Sequence, residues 1–197
     1  MITKTELLNY AKTKFTQFGS KHVTLDEIAS DLGISKKTIY SFFKNKEDLV
    51  AGSLEMLLKE YEENINSIIT SYSNDTVLCV ILIYKRGFEY LKYFKPSFLF
   101  GLKKYYPKAN KLFEDFIENL SKNTILSLLK KAQEQGHIKP EVNLELIVKI
   151  YFFRVDNLLF KNNNLFELYG EDTLFKHFVL YNLRGIISKQ YFNPYLK

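Results

Sequence analysis

Residues 23–49 decide the fold of this chain, and they read VTLDEIASDLGISKKTIYSFFKNKEDL. Thr24 and Glu27 have the spacing of a capping box, in which each side chain accepts a hydrogen bond from the other residue's backbone N–H. Gly33 follows an apolar helical period and suits the left-handed residue that ends a helix. Ser35 is a second N-cap residue. The stretch therefore predicts a helix, a tight turn at a glycine, and a second short helix.

Two short helices joined in this way are typical of a helix-turn-helix, whose second helix enters the major groove of DNA. Lysine side chains can neutralise phosphates or donate to guanine, and hydroxyl groups can bond to phosphates or bases. We expect Ile39 and Phe43 to face the core, because a short helix must bury one side. The side chains expected to face DNA are Ser35, Lys36, Lys37, Thr38, Tyr40 and Ser41.

The runs TLDEIASDLG and GISKKTIYSFFKNKEDL resemble the helix-turn-helix of the tetracycline-repressor (TetR) family of bacterial transcriptional regulators. The resemblance extends over residues 4–54. It implies that Thr24 and Lys46 contact phosphates at the starts of the second and fourth helices, and that Tyr40 contacts a backbone phosphate. It gives the groove-facing positions to Lys36, Lys37, Thr38 and Ser41.

Charge and composition agree with an anionic partner. The 197-residue chain has a formal net charge of +6, and between Met1 and Lys46 eight lysines stand against four acidic residues. Charged residues interrupt the first 20 positions, and no apolar run reaches the roughly 18 residues of a membrane span. We therefore expect a cytoplasmic protein without a membrane partner. A single cysteine, Cys79, excludes an intrachain disulfide.

The apolar periodicity predicts an all-α chain of about nine helices, with a three-helix head followed by a helical bundle. We expect a DNA-binding domain over residues 1–50 and an effector-binding and dimerisation domain over residues 51–197, linked by the fourth helix. The first helix should begin after a Thr3–Glu6 capping box and end at Gly19. The other predicted helices of the body span about 46–69, 75–93, 98–105, 107–136, 144–161 and 172–188.

Aromatic residues crowd the fifth and sixth predicted helices. In TetR-like proteins this region lines an effector cavity, so the resemblance implies a small apolar or aromatic ligand. Ordinary core packing is the alternative, because large rings are buried by default. The predicted effector-binding residues are Phe88, Tyr93, Phe98 and Tyr105.

The last two predicted helices are apolar over most of their faces, which one protomer cannot cover alone. A second copy of the chain is the simplest cover, and the resemblance implies a four-helix dimer interface. Gly185 would permit close approach of the helices. The predicted interface residues are Ile147, Ile150, Tyr151, Phe178, Tyr181 and Gly185.

Catalytic and metal-binding patterns are weak. His22, His137 and His177 have no histidine or cysteine at metal-ligand spacing, so we predict no enzyme activity, no metal and no cofactor. The sequence favours a regulator, of the repressor type by resemblance, that binds a palindromic operator as a homodimer. Two alternatives stay open: a TetR-like adaptor for another protein, and a helix-bundle ligand carrier or enzyme with a vestigial head.

Overall fold

The chain is built of helices. A computed structural model describes residues 2–91, 96–160 and 165–196, without the side chains of 96–97 and 156–160. Over these residues there is no strand, and one isolated antiparallel bridge joins Ile138 to Ile187. The predicted all-α fold is confirmed. The first helices are α1 (Lys4–Phe18), α2 (Leu25–Asp31), α3 (Lys36–Phe42), α4 (Lys46–Ser71), α5 (Thr76–Leu91) and α6 (Pro96–Tyr105).

Two long helices of the second half contain a π-helical segment. Helix α7 (Pro107–Asn119) continues through π1 (Leu120–Ile125) into α8 (Leu126–Glu134), which together form the long seventh helix predicted from sequence. The predicted ninth helix corresponds to α11 (Glu171–Phe175), π2 (Lys176–Leu180) and α12 (Tyr181–Ile186). Between them lie α9 (Leu144–Phe160) and α10 (Leu165–Tyr169), and a short 3₁₀ turn (Pro194–Leu196) follows α12.

Helix α10 was not predicted, because its five residues carry no cap signal and are too short for a periodic pattern. The polar loop predicted at 161–164 lies outside the described residues.

Local hydrogen bonds explain why the head helices begin and end where they do. Both predicted capping boxes form: Thr24 Oγ1 accepts from the Glu27 N–H at 3.1 Å, and the Thr24 N–H donates to Glu27 Oε2. Gly33 has φ +62°, and the Ile34 N–H donates to the Ala29 carbonyl at 2.9 Å. This is the Schellman arrangement, which a glycine adopts without the strain that a Cβ would bring.

The helices group into two compact units. The first contains Met1–Glu60 and Tyr93–Phe116, and the second contains Tyr61–Lys92 and Ile117–Lys197. The first unit thus joins the helix-turn-helix to α6 and the start of α7. The domain boundary that we predicted near residue 50 stays a prediction, since compact units and functional domains need not divide a chain at the same residue.

In the first unit, α6 packs against α1 and the turn that follows it. The Tyr106 hydroxyl donates to the Ser20 carbonyl at 3.0 Å, and an added Cβ at Gly101 would lie 2.9 Å from Ser20 Oγ. The Lys108 ammonium forms an ion pair with Asp48 near the start of α4. The fully buried apolar residues of this unit include Leu7, Phe15, Ile28, Ile39, Leu49, Phe98 and Leu102.

In the second unit, α5 is the central helix and packs against α8, α11 and π2. The Phe88 ring lies about 6 Å, centre to centre, from those of Phe166, Phe175 and Phe178. The chain end folds back on this unit, where the Tyr191 hydroxyl donates to the Asp75 carboxylate at 2.7 Å. No described helix is both long and apolar enough to cross a membrane.

Candidate nucleic-acid interface

Helix α3 has one buried side and one polar side. Ile39 is fully buried and Phe43, which ends the helix, is also buried, as predicted. The short helix is therefore fixed on the head by its apolar residues, and its polar side chains stay accessible. Lys36, Lys37, Tyr40 and Ser41 are exposed, and Thr38 is half-buried.

The two lysines at the start of α3 differ in their surroundings. The Lys36 ammonium lies 3.1 Å from a carboxylate oxygen of Asp26 on α2. An exposed ion pair of this kind contributes about 0 to 1 kcal/mol, so it orients the side chain but yields to a competing phosphate or base. Lys37 takes part in none of the ion pairs found within the described residues.

The serine and threonine hydroxyls at α3 already form hydrogen bonds within the helix. Ser35 Oγ accepts from the Thr38 N–H at 3.1 Å and lies 3.0 Å from Thr38 Oγ1, and Ser41 Oγ donates to the Thr38 carbonyl at 2.7 Å. Ser41 therefore uses its proton within the helix, and of Ser35 and Thr38 one hydroxyl donates to the other. One hydroxyl of that pair keeps a proton that it can donate to a phosphate, and all three oxygens keep lone pairs that can accept from a base amino group.

Lys46 lies at the start of α4, beside the turn that precedes α2. Its ammonium donates to the Lys21 carbonyl at 3.3 Å and lies 5.8 Å from the centre of the Tyr106 ring. Burial lowers the pKa of Lys46, and Glu27 partly opposes this shift. A partly desolvated ammonium of this kind is stabilised by an anion that approaches it, such as a phosphate.

The helix-turn-helix is joined to α1 by a polar contact that the sequence did not reveal. Asp31, at the end of α2, accepts from the Tyr10 hydroxyl and pairs with the Lys14 ammonium at 2.8 Å. The hydrogen bond from Lys14, with that from Tyr10, lowers the pKa of Asp31. The contact fixes the relative positions of α1 and α2, and no local sequence pattern connects residues so far apart.

The head is similar in sequence to known proteins of one family. The profile of "Bacterial regulatory proteins, tetR family" matches residues 7–52, which contain α2, the Gly33 turn and α3. Residues 7–52 thus form a helix-turn-helix domain of the TetR family. The uncharacterized HTH-type transcriptional regulator YhgD of Bacillus subtilis is 46% identical over 63 residues, a segment that covers 32% of this chain and a third (33%) of that relative.

Solved structures of low sequence identity share the fold of this chain. The ketosteroid regulator KstR2 of Mycobacterium tuberculosis is 17% identical, with a TM-score of 0.66 over 96% of this chain and 98% of the other. The regulator FadR of Bacillus subtilis, in complex with stearoyl-CoA, is 18% identical, with a TM-score of 0.69 over 93% of this chain and 100% of the other.

The predicted effector-binding residues fall in different units of this chain. Phe88 is buried in the aromatic cluster of the second unit, whereas Phe98 is buried in the first. Tyr105 is exposed in the first unit. Tyr93 lies outside the described residues. In the second unit, a cavity of about 70 Å³ is lined by residues of α8, α9, π2 and α12 together with Tyr84 of α5.

The residues predicted for a dimer interface separate into packed and exposed ones. The Tyr151 ring stacks on that of Tyr84 at 4.0 Å, and Phe178 packs against Phe88. Ile147 is half-buried. Three of the predicted residues are exposed, namely Ile150, Tyr181 and Gly185. Two further α9 residues that were not predicted, Leu146 and Phe153, are exposed as well.

The residues that the structure describes contain no group of three or more histidine, cysteine or acidic side chains placed to hold a metal ion. Two of the histidines pack against aromatic rings. The His137 ring lies 4.7 Å from that of Tyr191, and the His177 ring lies 4.9 Å from that of Tyr181.

Proposed function

We propose that this chain is a transcriptional repressor that binds an inverted-repeat operator in duplex DNA as a homodimer and responds to a small apolar or aromatic effector. The observation that carries the DNA-binding part is the exposed, lysine-bearing start of α3 on a helix whose other side is anchored by Ile39. Duplex DNA carries a dense row of negative charges, and a helix of this kind fits its major groove.

The lysines have separable roles in this proposal. Lys36 and Lys37 face the groove, where an ammonium group donates to guanine and so affects which bases are preferred. Lys46 contacts the backbone together with Thr24 and Tyr40, which strengthens binding to all sequences alike.

The operator is found first, by a genome-wide footprint of the purified protein. Binding of operator and unrelated duplexes is then measured against salt for Lys37→Ala, Lys46→Ala and, as a control, Lys59→Ala, an exposed lysine elsewhere on α4. We expect Lys46→Ala to weaken both duplexes equally and to flatten the salt slope by about one unit per protomer. Lys37→Ala should change the base preference. Affinity that does not vary with salt would refute the proposal.

The dimer part rests on an apolar stripe of α9. Leu146, Ile150 and Phe153 are exposed and have the spacing of one helix face, and Tyr181 of α12 is exposed as well. A second copy would bury this stripe, and the two-fold axis would set two α3 helices about 34 to 36 Å apart, one turn of DNA.

Sedimentation of Phe153→Asp and Ile150→Asp tests the dimer. A carboxylate in a dry interface costs several kcal/mol, so both variants should sediment as monomers. Tyr72→Asp is the matched control, because Tyr72 is as exposed as Ile150 but lies at the end of α4. If all three variants remain dimers, α9 does not form the interface.

The effector part is supported by the aromatic cluster around Phe88 and by the fold neighbour that holds stearoyl-CoA. The 70 Å³ cavity is smaller than the roughly 300 Å³ of typical ligand pockets, so binding there requires side chains to move apart. Calorimetry with stearoyl-CoA as the first probe, with and without operator, tests the coupling. In the presence of operator, an effector must bind the protein more weakly, by the same factor with which the effector weakens operator binding.

A further inference from the structure

Helix α6 and the turn between α1 and α2 together form an exposed basic and aromatic surface, made of Lys21, Phe100, Lys104 and Tyr105. The Lys21 ammonium lies 4.9 Å from the centre of the Tyr105 ring, and that of Lys104 lies 5.4 Å from it. Lys104 is also 6.0 Å from the Phe100 ring. The rings hold both ammonium groups near the protein surface by cation–π attraction.

This surface is continuous with the residues proposed to contact phosphates. Lys21 precedes the Thr24 cap by three residues, and its carbonyl accepts from the Lys46 ammonium. Tyr106, next to Tyr105, donates to the neighbouring Ser20 carbonyl. The residue that follows α6 is thus hydrogen-bonded to the same turn that presents the start of α2.

The two lysines give this surface a positive charge. Neither Lys21 nor Lys104 takes part in an ion pair within the described residues. The Lys21 ammonium, and after it that of Lys104, lowers the pKa of the Tyr105 hydroxyl. A phenol whose anion is favoured in this way lies in a positive field, which attracts phosphate groups.

We propose that α6 is a second DNA-contacting element, in which Lys21 and Lys104 neutralise backbone phosphates beside the bases read by α3. The inference rests on the proposed DNA binding and extends it to a helix outside the helix-turn-helix. Duplex DNA is the partner that we infer, because Lys21 lies beside Lys46 and Thr24, which are proposed to contact phosphates. Lys104 lies near the same Tyr105 ring as Lys21. Tyr105 can add a hydrogen bond from its hydroxyl to a phosphate oxygen.

The test uses the full chain with Lys21 and Lys104 both changed to alanine. Affinity is measured against salt on the selected operator, both as the bare repeat and extended by about half a helical turn at each end. We expect the salt slope on the long duplex to fall by about 1.8 per protomer, since each neutralised phosphate contributes about 0.9 to the slope. The reduction in affinity should be the same for all sequences and smaller on the short duplex. Base preference should not change.

The matched control removes two exposed lysines elsewhere, Lys59→Ala with Lys189→Ala, and so has the same net charge. If wild-type protein binds operator and the Lys21→Ala, Lys104→Ala double variant keeps the wild-type salt slope, the inference is wrong although the proposed function stands. A control variant whose salt slope falls as much as that of this double variant also overturns the inference, because the effect is then one of total charge. Wild-type protein that binds no duplex refutes both.

Discussion

The contact between Gly101 of α6 and Ser20 offers a sharp test of how α6 is held to the head. A Cβ added at Gly101 would lie 2.9 Å from Ser20 Oγ and 4.0 Å from the Lys21 nitrogen. Ser20 has none of its surface exposed, so its hydroxyl cannot swing out to solvent. Gly101→Ala therefore forces a buried neighbour to move.

The magnitude follows from two opposed effects. Overpacking of a buried site costs about 1 to 3 kcal/mol, whereas alanine in place of glycine within a helix gains about 1 kcal/mol. The net change in the unfolding free energy should thus lie between about zero and a loss of 2 kcal/mol. In a Ser20→Ala background the hydroxyl is gone, so the same change at Gly101 should stabilise by up to about 1 kcal/mol.

Urea unfolding of the four proteins of this cycle, at one protein concentration, gives the coupling energy directly. We expect about 1 to 3 kcal/mol of coupling between the two positions. Ser20→Ala alone should be neutral or stabilising, because Ser20 Oγ is buried without a hydrogen-bond partner among the described residues.

Gly185→Ala serves as the control, since no heavy atom lies within 4 Å of its added Cβ. Its effect should be the same in the wild-type and Ser20→Ala backgrounds. An effect of Gly101→Ala that is equal in the two backgrounds, within about 0.5 kcal/mol, would refute the packing argument.

Three further outcomes follow from the contacts of single residues. Thr24→Ala should lower the unfolding free energy by about 1 kcal/mol through loss of the α2 cap, as measured in urea. The hydrogen bond from the Thr24 backbone lowers the pKa of Glu27, so the ionised Glu27 side chain stabilises the fold fully above the ordinary pKa of 4.5 and loses this effect as pH falls through the lowered pKa. The difference in thermal midpoint between wild type and Glu27→Gln should therefore close on acidification. A difference that widens would contradict this prediction. Tyr191→Phe should cost about 1 to 3 kcal/mol in urea, because its hydroxyl donates to the charged Asp75, and an unchanged midpoint would show that water replaces this bond.

Much of the head could be predicted from sequence because its signals are local. The Thr24–Glu27 box and the Gly33 turn each depend on residues within five positions of one another, and both formed as predicted. Ile39 could be assigned to the core for the same reason, since a seven-residue helix has only one side to bury. The family resemblance rests on this same short stretch.

Which apolar residues of α9 stay exposed, and which residues form the α6 surface, could not be predicted in this way. Tyr151 and Phe178 have the same apolar character as Ile150 and Phe153, but the first two pack against α5 residues and the latter two stay exposed. Periodicity shows that a helix has apolar faces and not which neighbour covers each of them.

Local sequence signals specify the helical class, the helix starts and the helix-turn-helix, because hydrogen bonds and caps of this kind act between residues close in the chain. Long-range packing instead brings Lys104 and Tyr105 beside Lys21, and it places α6 in the same compact unit as the head. These residues are more than 80 positions apart along the chain, and their approach depends on the packing of Gly101 against Ser20. Side-chain volume and close contact between distant segments set that packing, and no local pattern records it.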